Sequence, residues 1–85
     1  MNDLEILERI QKVYIRVLGD KDTILMPEMD FIASKEISSF IKMEFIAEIE
    51  DEFNIELTYS SIQPIRKISE LMELIKNQMN LYFRV

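Results

Sequence analysis

Apolar residues return along this chain at helical intervals in three separate stretches, the first spanning residues 2 to 18. There Ile6, Ile10, Val13 and Val17 recur at spacings of four, three and four, the period that lines one face of an α-helix. Asn2 with Glu5 three residues later forms a capping pair, and Gly19 supplies the stop. In the second stretch, about 39 to 52, Phe45, Ile46, Ile49 and Phe53 fall on one side of a helix that ends near Asn54. Phe40, Met43 and Ala47 fall on another side, bordered by Glu44, Glu48, Glu50 and Asp51. This helix has one apolar face for its own core and a smaller one framed by carboxylates. From Ile68, the residues Leu71, Met72, Ile75 and Met79 predict a last amphipathic helix to about 79.

Two connections carry less period. Residues 60 to 63 predict a single helical turn, started by Ser60 or Ser61 and stopped by Pro64, with Ile62 and Ile65 turned inward. Residues 19 to 38 show no sustained pattern and contain Pro27, so they read as one long loop. Their Ile24, Leu25, Met26, Met29, Phe31 and Ile32 are apolar enough that the loop is expected to pack over the helices. A structureless connection of about 20 residues is uncommon unless it is functional, and this one leads into Ser38-Ser39. The tail 80–85 fits a continued helix, a packed end or a frayed one. The expectation is an all-α bundle of three main helices plus a short third helix, forming a single domain over 1–85.

Composition then removes whole classes of function. With no cysteine and no histidine in 85 residues, the chain lacks a thiol nucleophile, a thiolate metal site and the commonest general base, so independent catalysis is not expected. A net charge of −6 disfavours nucleic acid and anionic lipid and favours basic protein surfaces. No long uncharged apolar run suggests a membrane span, and the acidic start Met1-Asn2-Asp3-Leu4-Glu5 is unlike a signal peptide. Six methionines without cysteine suit a reducing cytoplasm, and the chain is expected to act as a monomer. Hydrophobic residues at 48% and charged ones at 31% match a folded domain rather than an acidic tail. No basic residue occurs between positions 43 and 65, so the field of Glu44, Glu48, Glu50, Asp51, Glu52 and Glu56 is expected to be uncompensated.

The order of helix, long apolar loop, serine-opened acidic helix, one-turn helix and closing helix resembles the acyl carrier protein family across essentially the whole chain. The residues that carry the resemblance are Ser38-Ser39-Phe40, Met43-Glu44-Phe45, Glu50-Asp51-Glu52-Phe53 and Ile55-Glu56-Leu57, with Phe31 eight residues before Ser39 and Ile65 and Ile68 at the start of the last helix. The resemblance implies that a phosphopantetheinyl transferase attaches 4′-phosphopantetheine from coenzyme A to Ser39. It further implies an acyl or aminoacyl cargo held as a thioester for partner enzymes. Phe40, Met43, Glu44, Ala47, Glu48, Glu50 and Asp51 would then meet the basic docking surfaces of acyl-loading and acyl-using enzymes. In that family the positions of Phe45, Ile46, Ile49 and Phe53, with Ile62, Ile65 and Leu71, also border the space that shelters a cargo, and here they are mostly bulky, so a large preformed pocket is not expected. Three positions depart from the family pattern: Ser38 stands for Asp, Glu36 for Gly, and Lys42 lies on the core-facing side of the second helix. They point away from a housekeeping fatty acid carrier and towards a specialised, free-standing one, of a lipid, polyketide, peptide or other pathway, or to a carrier fold that is no longer modified.

Each of these features also has a plainer reading. Serines cap helices without any cofactor, an acidic helix face keeps a small domain in solution, and Phe40, Met43 and Ala47 could pack beneath the loop. Two rival functions follow. One is an unmodified interaction module of the same fold, and the other is a metal-dependent hydrolase using Glu44, Glu48 and Asp51, which share a helix face.

Overall fold

Helix α1 (Asp3–Leu18) begins where Asn2 Oδ1 accepts the Glu5 N–H at 2.9 Å. It ends where Gly19, at φ 71°, donates its N–H to the Ile15 carbonyl. The computed structural model describes residues 1–30 and 38–83, with side chains to Asn80. Phe31, Ile32 and Glu36 lie outside the described residues, and so do the parts they are expected to play. Helix α2 (Ser39–Phe53) stops at Asn54, whose φ of 54° is the left-handed conformation expected of it. Helix α3 (Tyr59–Ile62) is one turn, and α4 (Ile68–Phe83) closes the bundle.

One core joins the elements: Ile6, Ile10, Val13 and Tyr14 of α1, the α2 stripe Phe45, Ile46, Ile49 and Phe53, and Ile68, Leu71, Met72 and Ile75 of α4. Ile55, Leu57 and Ile65 seal it from the α2–α3–α4 connections. Val17 is only partly buried, because the last turn of α1 reaches the edge of that core. The ion pairs Arg9–Glu52 and Arg16–Glu48 fix the sense of packing. Partners descend α2 as they ascend α1, so the two helices are antiparallel. Lys76 of α4 pairs with Asp3 of α1, and that contact holds the lysine pKa above its ordinary value.

The long loop is stitched down at three places. Asp20 accepts from the backbone N–H of Asp22 and Thr23 and from the hydroxyls of Thr23 and Tyr14. Gln11 clasps the next stretch with both ends of its amide, donating to the Thr23 carbonyl at 2.9 Å and accepting from Leu25 N–H at 2.7 Å. The carbonyls of Pro27 and Met29 then accept the N–H groups of Ser69 and Ile68, serving the otherwise unpaired first turn of α4. This clasp turns Leu25 into the core and leaves its neighbours outside: Leu25 is buried and Met29 half-buried, but Ile24 is 77% exposed and Met26 51%. The loop packs through alternate residues rather than through all its apolar ones.

Both ends of α3 differ from expectation by one residue. Helix α3 starts one residue early because Thr58, not Ser60 or Ser61, is its cap and accepts the Ser61 N–H. Ile65 is buried as expected, while Ile62 is only partly buried. Helix α4 runs to Phe83, so, of the three readings of the tail, residues 80–83 take the continued helix, since nothing in Asn80-Leu81-Tyr82-Phe83 breaks one.

Candidate functional site

The serine pair at the head of α2 divides its work. Ser38 is the cap: its Oγ accepts the Ile41 N–H at 3.2 Å and its carbonyl accepts that of Lys42. Ser39 is the first helical residue, exposed, and its side chain makes no hydrogen bond among the described residues. Capping therefore accounts for one serine and leaves the other hydroxyl open to solvent. That hydroxyl sits at the positive end of the α2 dipole, in a first turn that carries no acidic residue. An anion attached to Ser39 Oγ would lie beside backbone N–H groups of that turn, as phosphates commonly do at helix starts. Lys42, on the core-facing side as expected, is half-buried.

Phe40 is 76% and Met43 73% exposed, and Ala47 is exposed as well. They do not pack beneath the described part of the loop. At about 100° per residue they share one stripe with Glu44 and Asp51, on the side of α2 opposite the buried Phe45, Ile46, Ile49 and Phe53. Ser39 lies at the edge of that stripe, one turn before Met43. Tyr59, also strongly exposed on α3, is a large apolar surface residue to which the sequence assigns no part.

The carboxylates around the stripe do not act as one uncompensated block. Glu48 is bound by Arg16 at 3.0 Å, Glu52 lies 4.0 Å from Arg9, and Glu50 accepts the Leu57 N–H at 3.0 Å, tying the end of α2 to the following connection. Glu44, Asp51 and Glu56 are exposed and have no such partner among the described residues. The basic residues that neutralise part of α2 come from α1, which a count along residues 43 to 65 misses. Their signal is the seven-residue spacing of Arg9 and Arg16, which puts both on one face of α1. The same pairing breaks up the carboxylate trio of the hydrolase reading, since Glu48 is turned to Arg16. Among the described residues, no cluster of three or more acidic side chains could hold a metal ion.

A groove of about 370 Å³ is lined by Asp3, Leu4 and Leu7 of α1, by Pro27, and by Ser69, Met72, Glu73 and Lys76 of α4. No residue of α2 lines it. Around the α2 core stripe, Ile65 and Leu71 fill the space as bulky buried side chains. Among the described residues, no helix is long and apolar enough to cross a membrane.

No protein-family model matches the chain. Among curated proteins, it is similar to an acyl carrier protein of Thermosynechococcus vestitus, 24% identical over 79 residues that span 93% of this chain and 98% of that protein. The likeness runs through all four helices, and it supports the family that the motifs of α2 suggest.

Proposed function

We propose that this chain is an acyl or aminoacyl carrier that receives 4′-phosphopantetheine on Ser39 and delivers its cargo to partner enzymes of a specialised biosynthesis. The observation that carries this reading is the division of the serine pair: Ser38 is consumed as the cap, while Ser39 presents an uncommitted hydroxyl at the head of an exposed apolar and acidic stripe. In the attachment step Ser39 Oγ would attack the pantetheine-side phosphorus of coenzyme A and lose its proton, as the pyrophosphate P–O bond breaks and adenosine 3′,5′-bisphosphate leaves. The arm supplies the thiol that the chain lacks, on which cargo is held as a thioester. Ser39 and the first turn of α2 would hold the phosphodiester. Phe40, Met43 and Ala47 would give short-range contact, and Glu44 and Asp51 would attract the basic rims of the transferase and of acyl-handling enzymes. Glu48 and Glu50 border the same stripe but are shared with Arg16 and Leu57, so they contribute less as free charges.

The test is intact mass spectrometry after incubation with coenzyme A and a broad-specificity transferase. One phosphopantetheine per chain is expected, absent from Ser39→Ala and retained in Ser38→Ala. Because Ser38 replaces the family's Asp, Ser38→Asp is the informative companion. Transfer seen only in that variant would identify the natural chain as an unmodified interaction module, and transfer to neither would end the carrier reading.

A further inference from the structure

We infer that Met43 makes the docking stripe of α2 sensitive to peroxide, so that oxidation of one exposed thioether lowers partner engagement without disturbing the fold. The inference rests on the carrier reading of that stripe. The chain contains six methionines and no cysteine, so before any arm is attached every oxidisable sulfur is a thioether. They are not equivalent. Met72 is buried, Met29 and Met79 are partly buried against the core, and the Met29 sulfur accepts the Met26 N–H. Met1 and Met26 are 51% exposed but lie outside α2, whereas Met43, at 73%, is the most exposed of the six. It stands one turn from Ser39, between Phe40 and Ala47.

A hydroperoxide supplies the oxidant. The sulfur lone pair attacks one peroxide oxygen, the S–O bond forms as the O–O bond breaks, and the departing oxygen leaves as water or alcohol with the proton. Sulfur is oxidised by two electrons and the peroxide is reduced. The product is a polar, chiral sulfoxide in place of a flexible apolar side chain. At a buried position such a change disrupts packing. At Met43 the side chain already stands in solvent, so the altered property is the surface that a partner meets. A sulfoxide also keeps its hydration when pressed against an apolar pocket, which opposes docking.

The experiment uses the unmodified chain treated with limiting hydrogen peroxide, followed by catalase. Peptide mass spectrometry should find oxygen on Met43 well before Met72, while the helical circular dichroism stays at its starting value. The kcat/KM for phosphopantetheine transfer to the oxidised chain should fall about tenfold, equivalent to about 1.4 kcal/mol. Treatment with methionine sulfoxide reductase and a dithiol should restore it. Met43→Leu, compared only with itself before and after peroxide, should keep its rate although Met1 and Met26 are still oxidised. Unchanged transfer to a chain fully oxidised at Met43, or an equal loss in Met43→Leu, overturns this inference and leaves the carrier reading standing. A chain that accepts no phosphopantetheine before oxidation overturns both.

Discussion

At the scale of single residues, the carrier proposal predicts that Ser38 and Ser39 have opposite sensitivities, one in stability and the other in transfer. Ser38→Ala removes the acceptor for Ile41 N–H and should cost about 1 kcal/mol of unfolding free energy, read from urea denaturation, while transfer to the neighbouring hydroxyl persists. Ser39→Ala should stay within about 0.5 kcal/mol of the parent and abolish transfer. Equal destabilisation by both would mean that the cap is shared and that Ser39 is not the uncommitted serine. Asp20 offers a second residue-scale prediction. The hydroxyl of Thr23, the backbone N–H of Asp22, and the further donors Thr23 N–H and Tyr14 hydroxyl hold its pKa below the ordinary 3.8. A carboxylate depressed in the folded state stabilises fully above its unfolded pKa and loses that contribution as pH falls through the folded value. The amide resonances of Asp22 and Thr23 should therefore titrate with a midpoint below 3.8, and the melting temperature should fall across the same acidic window. Asp20→Asn, which cannot accept on both oxygens, should lower the melting temperature at neutral pH and remove the low-pH step.

At the scale of elements, α1 and α2 are legible in the sequence because their ends are written locally. Asn2, Gly19 and Asn54 each act within their own turn. Gly19→Ala illustrates how local that information is. A Cβ there would meet nothing within 4 Å, so the expected loss of about 1 to 2 kcal/mol comes from the left-handed backbone alone and should appear unchanged in urea melts at any salt. What the sequence hides is pairing between distant segments. Nothing in residues 19 to 30 announces that Gln11 clasps Thr23 and Leu25, or that Pro27 and Met29 cap α4. The hydrophobicity of the loop marks it as packed without saying which side chains turn in. Gln11→Ala should accordingly cost about 1 to 3 kcal/mol by leaving the Leu25 N–H and Thr23 carbonyl without partners. The start of α3 is hidden for a different reason: Thr58, Ser60 and Ser61 are all competent caps, and only the geometry selects Thr58.

At the scale of the whole molecule, the electrostatic field of the α2 face is set by two helices, so its control by charge can be tested with substitutions of opposite sign. Glu44→Lys and Asp51→Lys reverse carboxylates that have no ion-pair partner among the described residues, and both should slow docking to a basic transferase surface. Arg16 lies on the other element and lowers the negative field by sitting 3.0 Å from Glu48. Arg16→Gln should therefore accelerate association, although it changes no residue of the proposed docking stripe. The pair is exposed on both sides, so its removal should cost no more than about 1 kcal/mol, too little to unfold the bundle or to mimic a gain in rate. Salt separates steering from contact. The reach of these charges shrinks from about 30 Å at 0.01 M ionic strength to about 10 Å at 0.1 M and 3 Å at 1 M, so the slowed and accelerated variants should converge on the parent rate as salt rises, leaving the short-range contribution of Phe40, Met43 and Ala47. Stopped-flow association rates across that range decide the matter. If Arg16→Gln leaves the low-salt rate unchanged while Glu44→Lys lowers it, Glu44 acts by touching its partner, and the acidic face of α2 does not draw that partner in.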